Sequence, residues 1–364
     1  MAVKFTKSEI NIAEKVAELD KPSGIAGEAM LRADTPQEQF NLIGAGRKNL
    51  IINGAMQVAQ RGTSFGSTAN NVYTLDRWKS RRYAANNYYT TQENADVEDR
   101  FLYYIKVRRN TGDTATGALS LTQRIEPINF KGYRGRTVTL SFWYRTGASF
   151  SPKYFRASIL GSTDTTSNLT YWAYTTGVIS KQDTEIEPST VWKQHTITYM
   201  IPSNAEQLAI AFGVENPYPW VGTAGSDDSF QVANVQLELG KVATPFEHRL
   251  FGEELNLCKR YYEKSYGATI TPGTPNTYDG AIFFTTAHNN HFEEIRYEVE
   301  KRAAASVTLY NSITGGTGTW YSHHDNTSKS VIANHGNGTM GVRVAVTGVD
   351  GQRMDGHFTA DAEL

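Results

Sequence analysis

The chain of 364 residues has one cysteine, Cys258, and no long hydrophobic run. A single cysteine cannot close a disulfide within the chain, so packing and hydrogen bonds must hold the fold together. No apolar stretch approaches the roughly 18 residues of a membrane helix. Lys4 and Lys7 interrupt the position at which a signal peptide has its apolar region. We therefore expect synthesis in a cytoplasm, no cleaved export signal and no insertion into a membrane.

The chain also lacks an excess of either charge. Its 36 basic and 37 acidic residues give a formal net charge of -1, which provides no long-range attraction to nucleic acid or to an anionic bilayer. The basic run at 77–82 lies beside Trp78, and such a combination can contact phosphates and stack on bases. On a strand, however, Trp78 faces away from Arg77 and Lys79. We predict a solvated basic stripe and no nucleic-acid partner.

Helical periodicity is scarce after residue 48, where apolar and polar residues alternate instead, as at Val138, Leu140, Phe142 and Tyr144. A period of two is typical of half-buried strands, and the intervening Gly, Asn, Asp and Ser clusters indicate turns. Other candidate strands lie near 55–60, 101–109, 118–126, 154–161, 171–178, 192–201, 208–214 and 235–239. Roughly eight to ten strands without crossover helices predict a mainly β, antiparallel sandwich.

The first 47 residues contain no Tyr and no Trp and are predicted to be helical. Thr6 and Glu9 have the spacing of a capping box before a run with helical periodicity, formed by Ile12, Val16 and Leu19. A second helix is predicted to begin at Thr35–Pro36 and to end at 44–46. Two helices of this size cannot build a core alone, so they must dock against the remaining chain or another protein.

Beyond the sandwich, which we place at 48–249, a connector helix is predicted over 250–266 with Leu255, Cys258 and Tyr262 on one face. Residues 267–364 contain further short strands and Gly-rich turns, which predict a smaller C-terminal β domain. The chain has no repeat of 20–50 residues and no sustained heptads, so it does not encode a long fibrous shaft.

Enzyme motifs are weak in this sequence. Residues 62–66 match Gly-x-Ser-x-Gly, but the following residues form helices poorly, whereas the nucleophile elbow needs a helix there. Asp227 and Asp228 could bind calcium or act as an acid pair, although adjacent residues on a strand point to opposite faces. No phosphate-binding or dinucleotide-binding glycine loop occurs. We predict no catalytic residues, no cofactor and no enzymatic activity.

Histidines raise the question of a metal site. His288 and His291 flank two asparagines, and the pair His323–His324 precedes Asp325, with His335 further on. Imidazoles and a carboxylate can bind a metal when they converge, but the asparagines between the first two indicate a turn. We predict exposed, hydrogen-bonding histidines and no metal.

Aromatic side chains in polar surroundings are more informative. The apolar C–H face of a sugar ring stacks on indole or phenol rings, while its hydroxyls need amide, carboxylate or hydroxyl partners. Three segments offer both, and we predict a glycan site among Trp172, Tyr174, Tyr218, Trp220, Trp320, Tyr321 and His323. The alternative is that these rings pack in sheet cores or subunit contacts.

Eight short motifs occur in a fixed order along the chain. They are Asn49–Gly54, Gln60–Gly62, Asp76–Trp78, Gln236–Gly240, Pro245–Arg249, Glu253–Leu255, Cys258–Ser265 and Phe358–Leu364. In this order the chain resembles bacteriophage tail-fibre and receptor-binding proteins. The resemblance covers about 48–364 and leaves the first 47 residues unmatched.

The resemblance implies a jelly-roll module similar to carbohydrate-binding modules, then a β-rich tip, assembled as a homotrimer on the virion. The motifs themselves are expected to be structural: Asn and Gly residues suit turns, Asp76 could pair with Arg77, and Trp78 could fill a core. Binding residues are not transferred, because the family varies most at its binding loops. The absence of a shaft suggests a short appendage.

We therefore expect a non-enzymatic tail appendage of a virion, assembled in the host cytoplasm, that recognises host surface polysaccharide. Residues 1–47 would attach it to another virion protein through the apolar side chains of Ile12, Val16, Leu19, Phe40 and Leu42. One alternative is a purely structural virion adaptor or capsid-decorating fibre. Another is a glycan depolymerase.

Overall fold

Strands dominate the computed structural model, which describes residues 48–67, 70–82, 87–96, 100–165, 178–214, 219–225, 227–333, 338–347 and 349–364. Every strand pairing within these ranges is antiparallel. The mainly β, antiparallel fold expected from the alternation is confirmed. The predicted N-terminal helices, with Ile12, Val16, Leu19, Phe40 and Leu42, lie outside the described residues.

Two six-stranded sheets form a jelly-roll-like sandwich. The first sheet has the order β1 (Ser64–Ser67), β4 (Tyr88–Asn94), β5 (Tyr103–Arg109), β12 (Ser229–Leu239), β7 (Thr137–Thr146), β10 (Lys193–Met200). The second has the order β2 (Val72–Tyr73), β3 (Lys79–Arg82), β6 (Leu119–Ile125), β11 (Gln207–Val214), β8 (Phe155–Ser162), β9 (Val178–Ile186). A short helix α1 (Pro127–Phe130) and a 3-10 turn (Lys131–Tyr133) follow β6.

The core between these sheets is formed by the apolar residues of the strands in which apolar and polar residues alternate. Val138, Leu140 and Phe142 are fully buried, because successive side chains of a strand point to opposite faces. Trp78 is also fully buried, as expected, and its indole Nε1 donates a 2.9 Å hydrogen bond to the carbonyl of Asn53. The candidate strand near 55–60 is wrong: Asn53 and Met56 have positive φ angles of 58° and 57°, which turn the backbone.

A third sheet of eight strands contains most of the remaining chain. Its main path is β13 (Tyr262–Lys264), β20 (Arg353–Asp361), β17 (Thr319–Ser322), β18 (Thr327–Ala333), β19 (Gly341–Thr347), β15 (Asn290–Arg296). Strands β14 (Ile282–Thr285) and β16 (Ser306–Asn311) also pair with β20. The sequence did not indicate β15 or β17, since asparagines precede the one and glycines the other.

The connector helix is shorter than expected. Helix α2 (Phe251–Lys259) ends where Tyr262–Lys264 pairs with β20 as a strand, so the predicted helix is wrong for 260–266. Cys258 is free and buried, as part of a cluster with Ile52, Val58 and Tyr261. Burial raises the pKa of its thiol.

The motifs that carry the family resemblance meet where the sandwich contacts the third sheet. The backbone N–H of Asn53 donates a 2.6 Å hydrogen bond to Glu254 Oε1. Gln60 donates both to Asp76 Oδ1 at 2.6 Å and to the carbonyl of Tyr262 at 2.8 Å. The motifs are therefore bonded to one another across large sequence separations, in agreement with a structural role.

The expected pair between Asp76 and Arg77 is wrong. Asp76 accepts hydrogen bonds from the backbone and side chain of Gln60. Arg77, with a φ of 70°, points the other way, forms an ion pair with Glu363 and stacks on the ring of Tyr261, 3.6 Å from its centroid. Adjacent residues in this turn thus face different partners.

Gly356 should not tolerate a side chain. A Cβ atom there would lie 2.2 Å from Cδ1 of Trp320, which is fully buried on the neighbouring strand. We expect Gly356→Ala to reduce the free energy of unfolding by about 1–3 kcal/mol, because the indole would have to shift within a packed core. Thermal and urea unfolding measure this change.

The matched control is Gly252→Ala in helix α2, where an added Cβ meets no atom within 4 Å. Alanine favours helix over glycine by up to about 1 kcal/mol, so this variant should be as stable as the parent or slightly more so. Equal stability of the two variants would show that Trp320 does not pack on Gly356 as described.

Candidate functional site

The outer face of the first sheet carries a groove. It lies where β7, β10 and β12 run side by side, next to the segment that follows β12, and its volume is about 690 Å³. The side chains that line it and matter most here are those of Arg100, Trp143, Gln194, Asn234, Phe246 and His248.

Trp143 provides an aromatic surface in this groove. It follows the buried Phe142 in β7 and is half-buried on the opposite face. Its ring lies 6.4 Å from that of Phe101, and the guanidinium of Arg100 lies 5.7 Å from its centroid. Phe101 in turn packs edge-on against Trp192 at 4.7 Å. The indole is thus held from one side by other rings while it lines the groove.

Amide groups lie beside the indole. Gln194 of β10 is the direct cross-strand neighbour of Trp143 and is exposed, so its side chain shares the outer face. Thr196 and Ser141 form the next pair along the same two strands. An aromatic face with amide and hydroxyl groups beside it is suited to a sugar ring and its hydroxyls.

Asn234 occupies a bulge in β12, where the pairing with β7 shifts between Ala233 and Gln236. Its φ is 45°, and such bulges redirect side chains next to functional sites. The side chain is 5% exposed, and its Oδ1 accepts no hydrogen bond within the described part of the chain. A buried acceptor without a donor is unfavourable, so a ligand hydroxyl in the groove could satisfy it.

Two histidines also line the groove. His248 is exposed, with its ring 5.0 Å from that of Phe246. His195 points toward the core, 5.8 Å from the ring of Phe142, and burial lowers its pKa. Phe246 and His248 belong to the motif Pro245–Arg249, in which the intervening Glu247 bonds to the backbone N–H groups of Lys48 and Asn49.

Two of the residues predicted to bind glycan are buried. Trp220 is fully buried in the sandwich core, 5.4 Å from the ring of Phe150, and Trp320 is fully buried in the core of the third sheet. The adjacent Val221 is exposed and Tyr321 is half-buried, whereas both indoles face inward. The expectation that these two rings lie exposed in loops is therefore wrong. Trp172, Tyr174 and Tyr218 lie outside the described residues.

Tyr321 and His323 are brought together on the outer face of the third sheet. Their rings are 4.9 Å apart, and Phe283, which is exposed, lies 5.9 Å from His323. The Nε2 atom of His323 is 3.2 Å from Oδ1 of the buried Asp355, a direct strand neighbour of both Phe283 and Tyr321. This cluster is a second aromatic surface.

Other candidates from the sequence have structural partners. Asp228 is fully buried, with Arg109 Nη1 3.0 Å from its Oδ2, and burial raises its pKa. Ser64 begins the edge strand β1, without a following helix.

Within the described ranges, no group of three His, Cys, Asp or Glu residues could hold a metal ion. None of the helices there has the length and apolar character needed to cross a bilayer.

No protein-family model matches the chain, and no curated protein matches it. Among solved structures, the enzymatically active domain of bacteriophage CBA120 tailspike protein 4 is 17% identical over 53% of this chain and 21% of the tailspike chain, with a TM-score of 0.34. TmCBM61 in complex with β-1,4-galactotriose is 14% identical over 53% of this chain and 100% of its own, with a TM-score of 0.30.

The CBM22-2 xylan-binding domain from Paenibacillus barcinonensis Xyn10C is 14% identical over 49% of this chain and 98% of its own, with a TM-score of 0.30. The chain thus spans about a fifth of the length of the tailspike. All three TM-scores are below 0.5, so these similarities carry no weight for what this chain binds.

Proposed function

We propose that this protein binds a saccharide in the groove on the outer face of the first sheet. The observation that carries the proposal is the row formed by Trp143 and Gln194, with the unsatisfied Oδ1 of Asn234 beside it. The indole would stack on the apolar face of a sugar ring, and the amides would bond to its hydroxyls.

More specifically, we propose that the protein is a receptor-binding tail appendage of a bacteriophage and that it recognises host surface polysaccharide. The order of the eight motifs from Asn49 to Leu364 supports it. Residues 1–47 would attach the protein to another virion component, and the chain would assemble as a homotrimer. Because sugar hydroxyls exchange water bonds for protein bonds at small net gain, several linked copies would raise a weak affinity per site.

The proposed activity is binding without cleavage. Glycoside hydrolysis generally needs two carboxyl groups on either side of the scissile bond. Among the described residues that line the groove, none is an aspartate or a glutamate. This composition favours a binding site over a depolymerase.

Trp143→Ala should weaken saccharide binding by about 10- to 100-fold, because loss of a stacking ring removes roughly 1.4–2.7 kcal/mol. Calorimetric titration of the full chain with extracted host polysaccharide measures the affinity of the parent and of the variant. Near-ultraviolet circular dichroism checks that the variant remains folded.

Tyr321→Ala on the third sheet is the matched control and should leave the affinity unchanged. If Tyr321→Ala abolishes binding while Trp143→Ala does not, the site lies on the third sheet and the proposal for the groove is wrong.

The same preparation tests the two alternatives. A depolymerase would release reducing ends from the polysaccharide, whereas the proposed binder would not. A purely structural adaptor would neither adsorb to host cells nor block infection when added as soluble protein, whereas a receptor-binding protein would do both.

A further inference from the structure

Four cations on the face that holds the groove form no ion pair with a described carboxylate. They are Arg100, Lys106, Arg108 and Arg145. Among the described residues, no Asp or Glu oxygen lies within the 4.0 Å of an ion pair from any of these four side chains. Glu93 and Asp227 lie near enough to favour the charged form of Lys106, opposing the burial that lowers its pKa.

Several arginines elsewhere in the protein form ion pairs. Examples are Arg61, Arg77, Arg109, Arg134, Arg249 and Arg260. On the outer face of the first sheet, the guanidiniums instead contact rings. Arg108 lies 4.5 Å from the ring centroid of Tyr89, and Arg145 lies 4.6 Å from that of Trp192.

Strand register places these cations in rows that lead away from the groove. Arg145 is two residues beyond Trp143 on β7 and pairs with Gln231 of the adjacent strand β12. On the other side of β12, Gln231 pairs with Lys106 of β5. Arg108 is two residues further along β5. Two residues of a strand span about 7 Å. Along the strand direction, Arg145 and Lys106 therefore lie one such step from Trp143, and Arg108 lies two steps from it.

The available hydrogen-bonding groups fit an oxyanion. Arg145 donates to Tyr104 Oη at 3.2 Å and to Gln231 Oε1, so neutral oxygens hold it without neutralising its charge. Arg100 is exposed at the groove itself. Guanidinium groups bind carboxylates and phosphates through paired, charge-assisted hydrogen bonds.

We propose that the saccharide taken by this groove is acidic, with carboxylate or phosphate substituents that contact Arg100 and the cations beyond it. The inference rests on the proposed saccharide binding and adds the chemical class of the ligand. Trp143 would stack on a sugar ring, while the cation rows would bind the oxyanions of that residue and of its neighbours along the chain.

An array of defined polysaccharides tests the proposal with the full-length protein. It contains polygalacturonate and alginate, each beside its carboxyl-reduced form, and a phosphomannan beside its dephosphorylated form. We expect binding to an acidic member, at least about tenfold weaker binding to its neutral counterpart, and weakening by added salt. The carboxylate and phosphate pairs distinguish the two sources of charge.

Arg100→Gln should weaken binding of the acidic ligand by about tenfold and weaken the binding of the neutral form much less, whereas Arg100→Lys should retain part of the affinity. Trp143→Ala should weaken both forms. Equal binding of acidic and neutral members, or equal effects of Arg100→Gln on both, would contradict the proposal of an acidic ligand. The proposal of saccharide binding would still stand. Binding to no member would contradict both proposals.

Discussion

Replacing Glu363 with glutamine should lower the free energy of unfolding by about 3–5 kcal/mol, the usual cost of removing one partner of a buried ion pair. The Glu363 side chain is 3% exposed and lies between two arginines, forming an ion pair with Arg77 and a 3.4 Å contact with Arg61 Nη1. Arg77 itself is 1% exposed. The substitution would leave its guanidinium buried without a counter-charge.

This pair joins the third sheet to the sandwich. Arg77 also donates to the carbonyl of Arg124 at 2.7 Å and contacts the ring of Tyr261, while Arg61 lies 3.6 Å from the ring centroid of Tyr262. Loss of the carboxylate would therefore destabilise both the sandwich and the third sheet. Urea unfolding monitored by tryptophan fluorescence measures the change in the free energy of unfolding.

Asp361→Asn is the control, because Asp361 contacts the same Arg61 at 3.1 Å but is 43% exposed. Exposed ion pairs contribute at most about 1 kcal/mol, so this variant should be nearly as stable as the parent. Equal losses in the two variants would mean that burial of Glu363 does not determine its contribution.

Alkaline pH should unfold the protein through its buried tyrosines. Burial raises the pKa of Tyr73 to about 12 and that of Tyr297 to about 12, and it also raises the pKa values of Tyr261 and Tyr262. The folded state therefore keeps phenolic protons that the unfolded chain releases near pH 10. This contribution to stability is complete below pH 10 and is lost as the pH rises toward 12.

Two units of pKa correspond to about 2.7 kcal/mol, so Tyr73 and Tyr297 together should cost several kcal/mol of stability between pH 10 and 12. Phenolate absorbance measured together with circular dichroism should show one group of tyrosines titrating normally and a second group titrating only as the fold is lost. Tyr262→Phe should reduce the pH dependence, because one buried phenol has been removed. A single titration near pH 10 with the fold intact would contradict the prediction.

The position of the candidate site could be predicted from the sequence only in part. Trp143 is the one large aromatic residue among the polar positions of β7, between Phe142 and Tyr144, and this departure from the alternation was the available signal. Nothing in the sequence indicated that Gln194, some 50 residues later, would be its cross-strand neighbour. Trp320 follows the polar Thr319 and yet is fully buried, and Trp220 is fully buried beside the exposed Val221, because the nature of adjacent residues does not set the direction of a side chain.

The sequence by itself determined the antiparallel β layers, since a period of two fixes which side chains of a strand can share a face. It also determined the burial of Trp78 and the absence of an internal disulfide. Only the tertiary structure decided that Arg77 pairs with Glu363 rather than with its neighbour Asp76, and that a bulge leaves Asn234 in a groove beside Trp143. Those contacts depend on strand register and on backbone turns, which bring together residues that local periodicity cannot relate.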